Sequence, residues 1–291
     1  MIQKSILGAL LLLIAYEANL RLWPPRGNQT LTYSQGNLIR AQRQIYGAHS
    51  GKVMFLGSSL TVTLEPYLQR GNASCLALAG MGVRDGLRIL EHMHSRPPLL
   101  MIEINRLQRQ PNQEFLQSLL ASPFFEMRGA SRALRHEYQP ANLFVPWLEQ
   151  TFQLAPRELD PDPSPRPRRR LPPQLNNLSR TLEQHQREIE DGLRDLPGWS
   201  PSLQELRGQG VPIAFYEIPE VAAHTQSSAA EQLRQQLRGT FPSPLFGWVP
   251  LDRSDSYYTY DGQHLCDDDA YAYARYLLGQ IEGRPQSSPR P

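Results

Sequence analysis

The most apolar stretch of the chain comes first. Residues 6–16 read ILGALLLLIAY, apolar on every helical side, behind Lys4 and ahead of Glu17, Asn19 and Arg21. A helix apolar all round lies in a core or a membrane, and a short positive segment before such a run is the pattern of an export signal. No small-x-small cleavage site follows at Ala15-Tyr16-Glu17 or Tyr16-Glu17-Ala18, which favours an uncleaved signal anchor over residues 1–22. The run is shorter than the roughly 20 residues that cross a bilayer comfortably, and a buried N-terminal helix is the alternative. Next come a linker over 23–37 and a short helix over 38–46, so that 23–49 reads as linker and short helix. Continuous apolar runs follow at 53–56, 75–79, 99–104, 213–218 and 248–251, each bounded by Gly, Pro or charge. Runs of this length without alternation predict strands buried on both faces. Helical patterns over 83–94, 113–120, 178–193, 229–237 and 268–281 are interspersed with them. Such alternation predicts an α/β fold, a doubly wound parallel sheet, over residues 50–282. An insertion at about 108–205 separates the third and fourth strands, and its segment 156–173, RELDPDPSPRPRRRLPP within it, predicts a mobile loop because proline breaks both helix and ladder. The tail 283–291 is disordered by composition.

With 291 residues, 40% of them hydrophobic, the chain can bury one sizeable core without disulfides. A net charge of +2 argues against a dedicated nucleic-acid binder with a dense phosphate-contacting surface, so that any polyanion must be met locally. Only Lys4 and Lys52 are lysines, so 28 of the 30 basic residues are arginine. Neither lysine sits where a Schiff base or a phosphate-cradling G-x-x-x-x-G-K loop needs one. Arg168-Arg169-Arg170 in the insertion reads first as a solvated linker and second as a contact for an anionic glycan, lipid headgroup or partner. Cys75 and Cys266 show no zinc spacing, and a bridge between them is disfavoured because Cys75 is expected at the start of a strand whose far end faces Cys266. No metal and no cofactor is implied.

In an open parallel sheet, ligands bind beyond the carboxyl ends of the strands. The first strand runs into Gly57-Ser58-Ser59-Leu60, which puts the Ser59 hydroxyl at a strand-to-helix turn whose free N–H groups suit an oxyanion. Serine is also a common helix cap. The second strand ends near Gly80 and the third near Asn105, two further donors for the same oxygen. In Tyr260-Asp261-Gly262-Gln263-His264, Asp261 stands three residues before His264, where it can accept the Nδ1 proton and fix the tautomer of a base. His92 and His94 are two apart on a predicted helix, on different faces, and do not form a metal pair.

Taken in order, Gly-x-Ser-Leu after strand one, Gly after strand two, Asn after strand three and Asp-x-x-His before the last helix resemble the SGNH/GDSL hydrolase superfamily, over 50–282 apart from the insertion. The resemblance implies a flavodoxin-like three-layer fold, Ser59 as nucleophile, His264 as base, Asp261 as its orienting acid, and the Ser59 N–H, Gly80 and Asn105 as oxyanion donors. Gly80 is preferred to Gly82 by its spacing to Gly86. The family's Gly-Asp-Ser is here Gly57-Ser58-Ser59 and its Gly-x-Asn-Asp is Glu103-Ile104-Asn105-Arg106, two departures that remove carboxylates expected to brace the site. The serine at 58 resembles membrane-anchored envelope proteins that act in teichoic-acid D-alanylation and alginate O-acetylation. The function this resemblance implies is that of a serine-dependent esterase or O-acyltransferase on cell-envelope glycan. Its partners would be an acylated glycan or small acyl ester, the membrane and a membrane-bound acyltransferase, but not nucleic acid. The catalytic domain would be extracytoplasmic, and periplasmic in a Gram-negative cell.

Two rivals stand beside this reading. Gly80-x-Gly82-x-x-x-Gly86 with Glu103 downstream loosely fits a dinucleotide fingerprint, but it follows the second strand of a chain with almost no lysine. A catalytically inactive binding or assembly protein for envelope polysaccharide is the other, given the altered bracing residues. The aromatics Phe246, Trp248, Tyr257, Tyr258 and Tyr260 are candidates for core packing or for stacking on sugar rings. Asp267, Asp268 and Asp269 read as the favourably charged start of the last helix.

Overall fold

A computed structural model of the chain describes residues 2–22, 32–47, 51–140, 142, 151–152, 175–252 and 257–282. The Pro/Arg-rich segment 156–173, with Arg168 to Arg170, and the tail 283–291 lie outside the described residues. In chain order the elements are α1 (Ile2–Leu22), α2 (Tyr33–Tyr46), β1 (Val53–Gly57), α3 (Ser59–Val62), α4 (Glu65–Arg70), β2 (Ala73–Ala77) and α5 (Val83–Glu91). There follow β3 (Leu100–Glu103), α6 (Gln113–Leu120), α7 (Phe124–Ala130), two 3₁₀ turns (Arg132–Leu134, His136–Tyr138) and α8 (Leu175–Gly208). The chain continues through β4 (Ile213–Tyr216), α9 (Ala222–Thr225), α10 (Ser228–Thr240), β5 (Gly247–Trp248) and α11 (Asp267–Glu282). They fall into two compact units, Met1–Gly47 with Gln113–Pro163, and Ala48–Asn112 with Ser164–Pro291.

In the first unit α1 is long and apolar enough over Gln3–Leu22 to cross a membrane. Ile6, Leu7, Leu12 and Ile14 are exposed, whereas its last turns are held: Leu20 is buried, and Glu17 accepts from the Ser131 hydroxyl and the Ala133 N–H, both at 2.9 Å. Helix α2 begins five residues before the expected position 38, because the Thr32 hydroxyl accepts from the Gln35 N–H at 3.2 Å and caps it. Its Gln42 bonds His136 through both side-chain ends.

Residues 113–163 of the expected insertion group with the first unit, and the second unit has the expected α/β architecture. Its five strands are all parallel in the order β2-β1-β3-β4-β5, the flavodoxin-like order whose switch point falls between β1 and β3. Side chains alternate across the sheet. Phe55, Cys75, Met101, Ala214 and Tyr216 pack on one face with Leu60, Leu64 and Leu68 and with Tyr273, Ala274 and Leu277 of α11. On the other face Leu56 meets α5, where a Cβ at Gly86 would come within 3.1 Å of it, and Phe215 packs against Phe241 and Phe246.

Several boundaries differ from those expected. Strand β2 spans Ala73–Ala77, set by its pairing from Val53↔Ala73 to Gly57↔Ala77 rather than by apolarity, so Cys75 sits mid-strand. Strand β5 is only Gly247–Trp248, although Val249 still donates to the Phe215 carbonyl at 2.9 Å. The helix expected over 178–193 runs over Leu175–Gly208, through Gly192, Pro197 and Gly198. Ile189, Leu196, Leu203 and Leu206 form a buried stripe at helical spacing, and burial of that stripe outweighs the poor propensities within it.

Candidate functional site

At the end of β1 the chain turns straight into α3. Ser58, extended at φ −97° and ψ −162°, caps the helix by accepting from the Leu60 N–H at 3.2 Å, and Ser59 is the first helical residue. Gly57 is obligatory: a Cβ there would lie 2.0 Å from Thr61 Oγ1 and 2.6 Å from Glu103 Oε2. Glu103, the fully buried last residue of β3, accepts from the Ser58 N–H at 2.8 Å, from the Ser58 hydroxyl at 2.7 Å and from the Thr61 hydroxyl. With its one proton given to Glu103, Thr61 accepts from the Tyr216 hydroxyl at 2.7 Å. Burial pushes the Tyr216 phenol well up, keeping it a donor. The expected loss of a bracing carboxylate is therefore corrected: none stands at 58, but one reaches the same turn from 103.

The loop before α11 carries the other two predicted residues. Asp261 Oδ1 accepts from the backbone N–H groups of Gln263 (3.0 Å) and His264 (2.8 Å), and its Oδ2 lies 2.6 Å from His264 Nδ1. Gly262 takes φ +90°, which suits glycine, and its carbonyl accepts from Val221. With Nδ1–H given to Asp261, His264 Nε2 is an acceptor, and it lies 3.0 Å from Ser59 Oγ. Burial raises the Asp261 carboxyl, but the hydrogen bonds from the His264 ring and the two backbone N–H groups outweigh it and hold the group at about 2. Ser59 and, 205 residues away in sequence, the Asp261–His264 pair form one hydrogen-bonded relay at the carboxyl edge.

The oxyanion candidates are placed unequally. The Ser59 N–H opens α3, and Gly80 lies at φ +75° in the exposed turn after β2, the strand next to β1. That turn is pinned by buried Asp85, which accepts from the Gly82 N–H at 3.1 Å and the Asn112 N–H at 2.6 Å. Asn105 follows β3, but its side chain is engaged elsewhere. Its amide donates to the Ile218 carbonyl at 2.9 Å and to Glu220 Oε2 at 3.3 Å, and its oxygen accepts from the Ile218 N–H. Both amide hydrogens are thus taken, so Asn105 joins β3 to the end of β4 and is not brought to Ser59.

Sequence reasoning missed three residues. Glu103 figured only in a departure from pattern and in the dinucleotide rival, not as a brace; the signal was a carboxylate closing an otherwise apolar strand. Buried Arg106 pairs with Glu220 and donates to Gln263 Oε1 at 3.0 Å, which ties the ends of β3 and β4 to the residue before His264. The pairing with Glu220 outweighs burial and keeps the Arg106 guanidinium raised. Glu220 had no local signal. Of the aromatics, Phe246 and Trp248 pack on Phe215, and Tyr257 packs on Tyr273 and donates to Asp252. Tyr260, 48% exposed, stacks on the His264 ring at 5.6 Å and 14°.

A relay of this form can remove a proton from a hydroxyl and return it to a leaving group. Comparison of the chain with protein-family models, with curated proteins and with solved structures finds no match.

Proposed function

We propose that the protein is a serine-dependent acyl ester hydrolase or O-acyltransferase of the SGNH type. The observation that carries this reading is the Ser59 Oγ to His264 Nε2 distance of 3.0 Å, with His264 Nδ1 at 2.6 Å from Asp261. Ser59 Oγ attacks the acyl carbonyl as its proton passes to His264 Nε2, and the Ser59 and Gly80 N–H groups face the developing oxyanion. Collapse breaks the ester bond, His264 returns the proton to the leaving oxygen, and the acyl group rests on Ser59. Water or a sugar hydroxyl then takes it by the same path in reverse. With α1 as anchor, the substrate is an acylated envelope glycan or small acyl ester on the extracytoplasmic side, and a membrane-bound acyltransferase is the partner.

The test is turnover of p-nitrophenyl acetate by the full chain beside Ser59→Ala, with mass spectrometry of the Ser59 peptide. Loss of about a thousandfold or more in kcat and an acetyl adduct on Ser59 are expected; equal turnover by both proteins would remove the proposal. A second reading, a non-catalytic binding or assembly protein for envelope polysaccharide, draws on the engaged Asn105 amide. Polysaccharide binding without an adduct would favour it.

A further inference from the structure

We propose that Glu103 is the positioning residue for Ser59, and that its carboxylate excludes a second one at position 58. The inference rests on reading Ser59 as the nucleophile. Glu103 is the last residue of β3, beside β1, and is 0% exposed. From there it takes three donors on the two residues that flank Ser59 and Leu60 in the turn: the N–H and hydroxyl of Ser58, and the hydroxyl of Thr61. Ser59 itself makes no bond to Glu103. Its direction toward His264 comes from how the backbone on either side is held. The absent Cβ of Gly57 gives the carboxylate its room.

That crowding has a chemical consequence. Ser58 Oγ lies 2.7 Å from Glu103 Oε1, so an aspartate at 58 would set two carboxylates against each other, and like charges so close cannot both ionise. Glu103→Ala instead leaves three buried donors without their acceptor, a costly state. Combining Ser58→Asp with Glu103→Ala restores one carboxylate, now from the other side, able to accept from Leu60 and Thr61.

The experiment monitors phosphonylation of Ser59 by a fluorophosphonate, together with amide hydrogen exchange across residues 57–62, on the full chain in detergent. Glu103→Ala and Ser58→Asp are each expected to label about a hundredfold more slowly, the scale of an ångström of misplacement. The double variant is expected to recover to within about tenfold of the parent, since it again holds one carboxylate. Exchange at 57–62 should rise in Glu103→Ala and fall back in the double variant. Should Glu103→Ala not fold, Glu103→Gln, which keeps one acceptor, takes its place. Parental labelling rates in the position 103 variant, or a double variant no faster than Ser58→Asp, would overturn the inference and leave the nucleophile reading standing. If the parent chain does not label at all, the nucleophile reading fails; exchange then decides, and unchanged protection at 57–62 would sink the brace as well.

Discussion

Asp261 shows how a half-exposed carboxyl can be committed to one task. Three N–H groups converge on it and hold it at about 2 against an ordinary value of 3.8. A depressed carboxyl contributes stability that is complete above the unfolded value and is lost as pH falls through the folded one. The melting difference between the parent chain and Asp261→Asn should therefore be largest above about pH 4 and vanish toward about pH 2. The same substitution offers a hydrogen to Nδ1 instead of accepting one and favours the wrong imidazole tautomer. Ester turnover should drop by about ten-thousandfold with KM little changed, and a fall of less than tenfold would mean that Asp261 does not set the tautomer. Tyr260, stacked on His264 and 48% exposed, is the aromatic best placed to meet a sugar ring. Tyr260→Ala should raise KM about tenfold for a glycan-borne ester, while Tyr260→Phe keeps the ring and stays near the parent.

Elements reveal where local sequence rules hold and where packing overrides them. Apolar runs, two of them carrying a single glutamate, located all five strands because a parallel sheet buries both faces, and the turn after β1 was legible because a glycine and two serines follow the first run directly. The stop of α8 was not legible: Gly192, Pro197 and Gly198 signal a break, but the stripe from Ile189 to Leu206 is read only when its burial is known. Gly192 carries a sharp prediction. Glycine to alanine inside a helix ordinarily stabilises by about 0.5–1 kcal/mol, but a Cβ at 192 would lie 2.8 Å from Gln108 Cβ. Gly192→Ala should instead destabilise by about 1–3 kcal/mol, measured by urea unfolding. A more stable variant would mean that α8 does not pack against that turn.

At the scale of the whole molecule, the relay was readable as separate fragments, since Asp-x-x-His and Gly-x-Ser are local patterns. Its supports were not, because Glu103 with Ser58, and Arg106 with Glu220, meet only through the order of strands. The same holds for α1, whose apolar run is plain in the sequence while the fate of its last turns is not. Ile6, Leu7, Leu12 and Ile14 are exposed, whereas Glu17 bonds Ser131 and Ala133 and Leu20 is buried in the same unit. One helix thus has an outer part suited to lipid and an inner part belonging to the fold, and two truncations separate them. Removing residues 2–15 should move the chain from the membrane fraction to the soluble one with the first unit's melting unchanged. Removing 2–22 should also strip Glu17 and Leu20, lowering stability by at least the ~2–5 kcal/mol of one buried leucine. A 2–15 deletion that still sediments with membranes after an alkaline wash would show that something other than the exposed part of α1 holds the protein there.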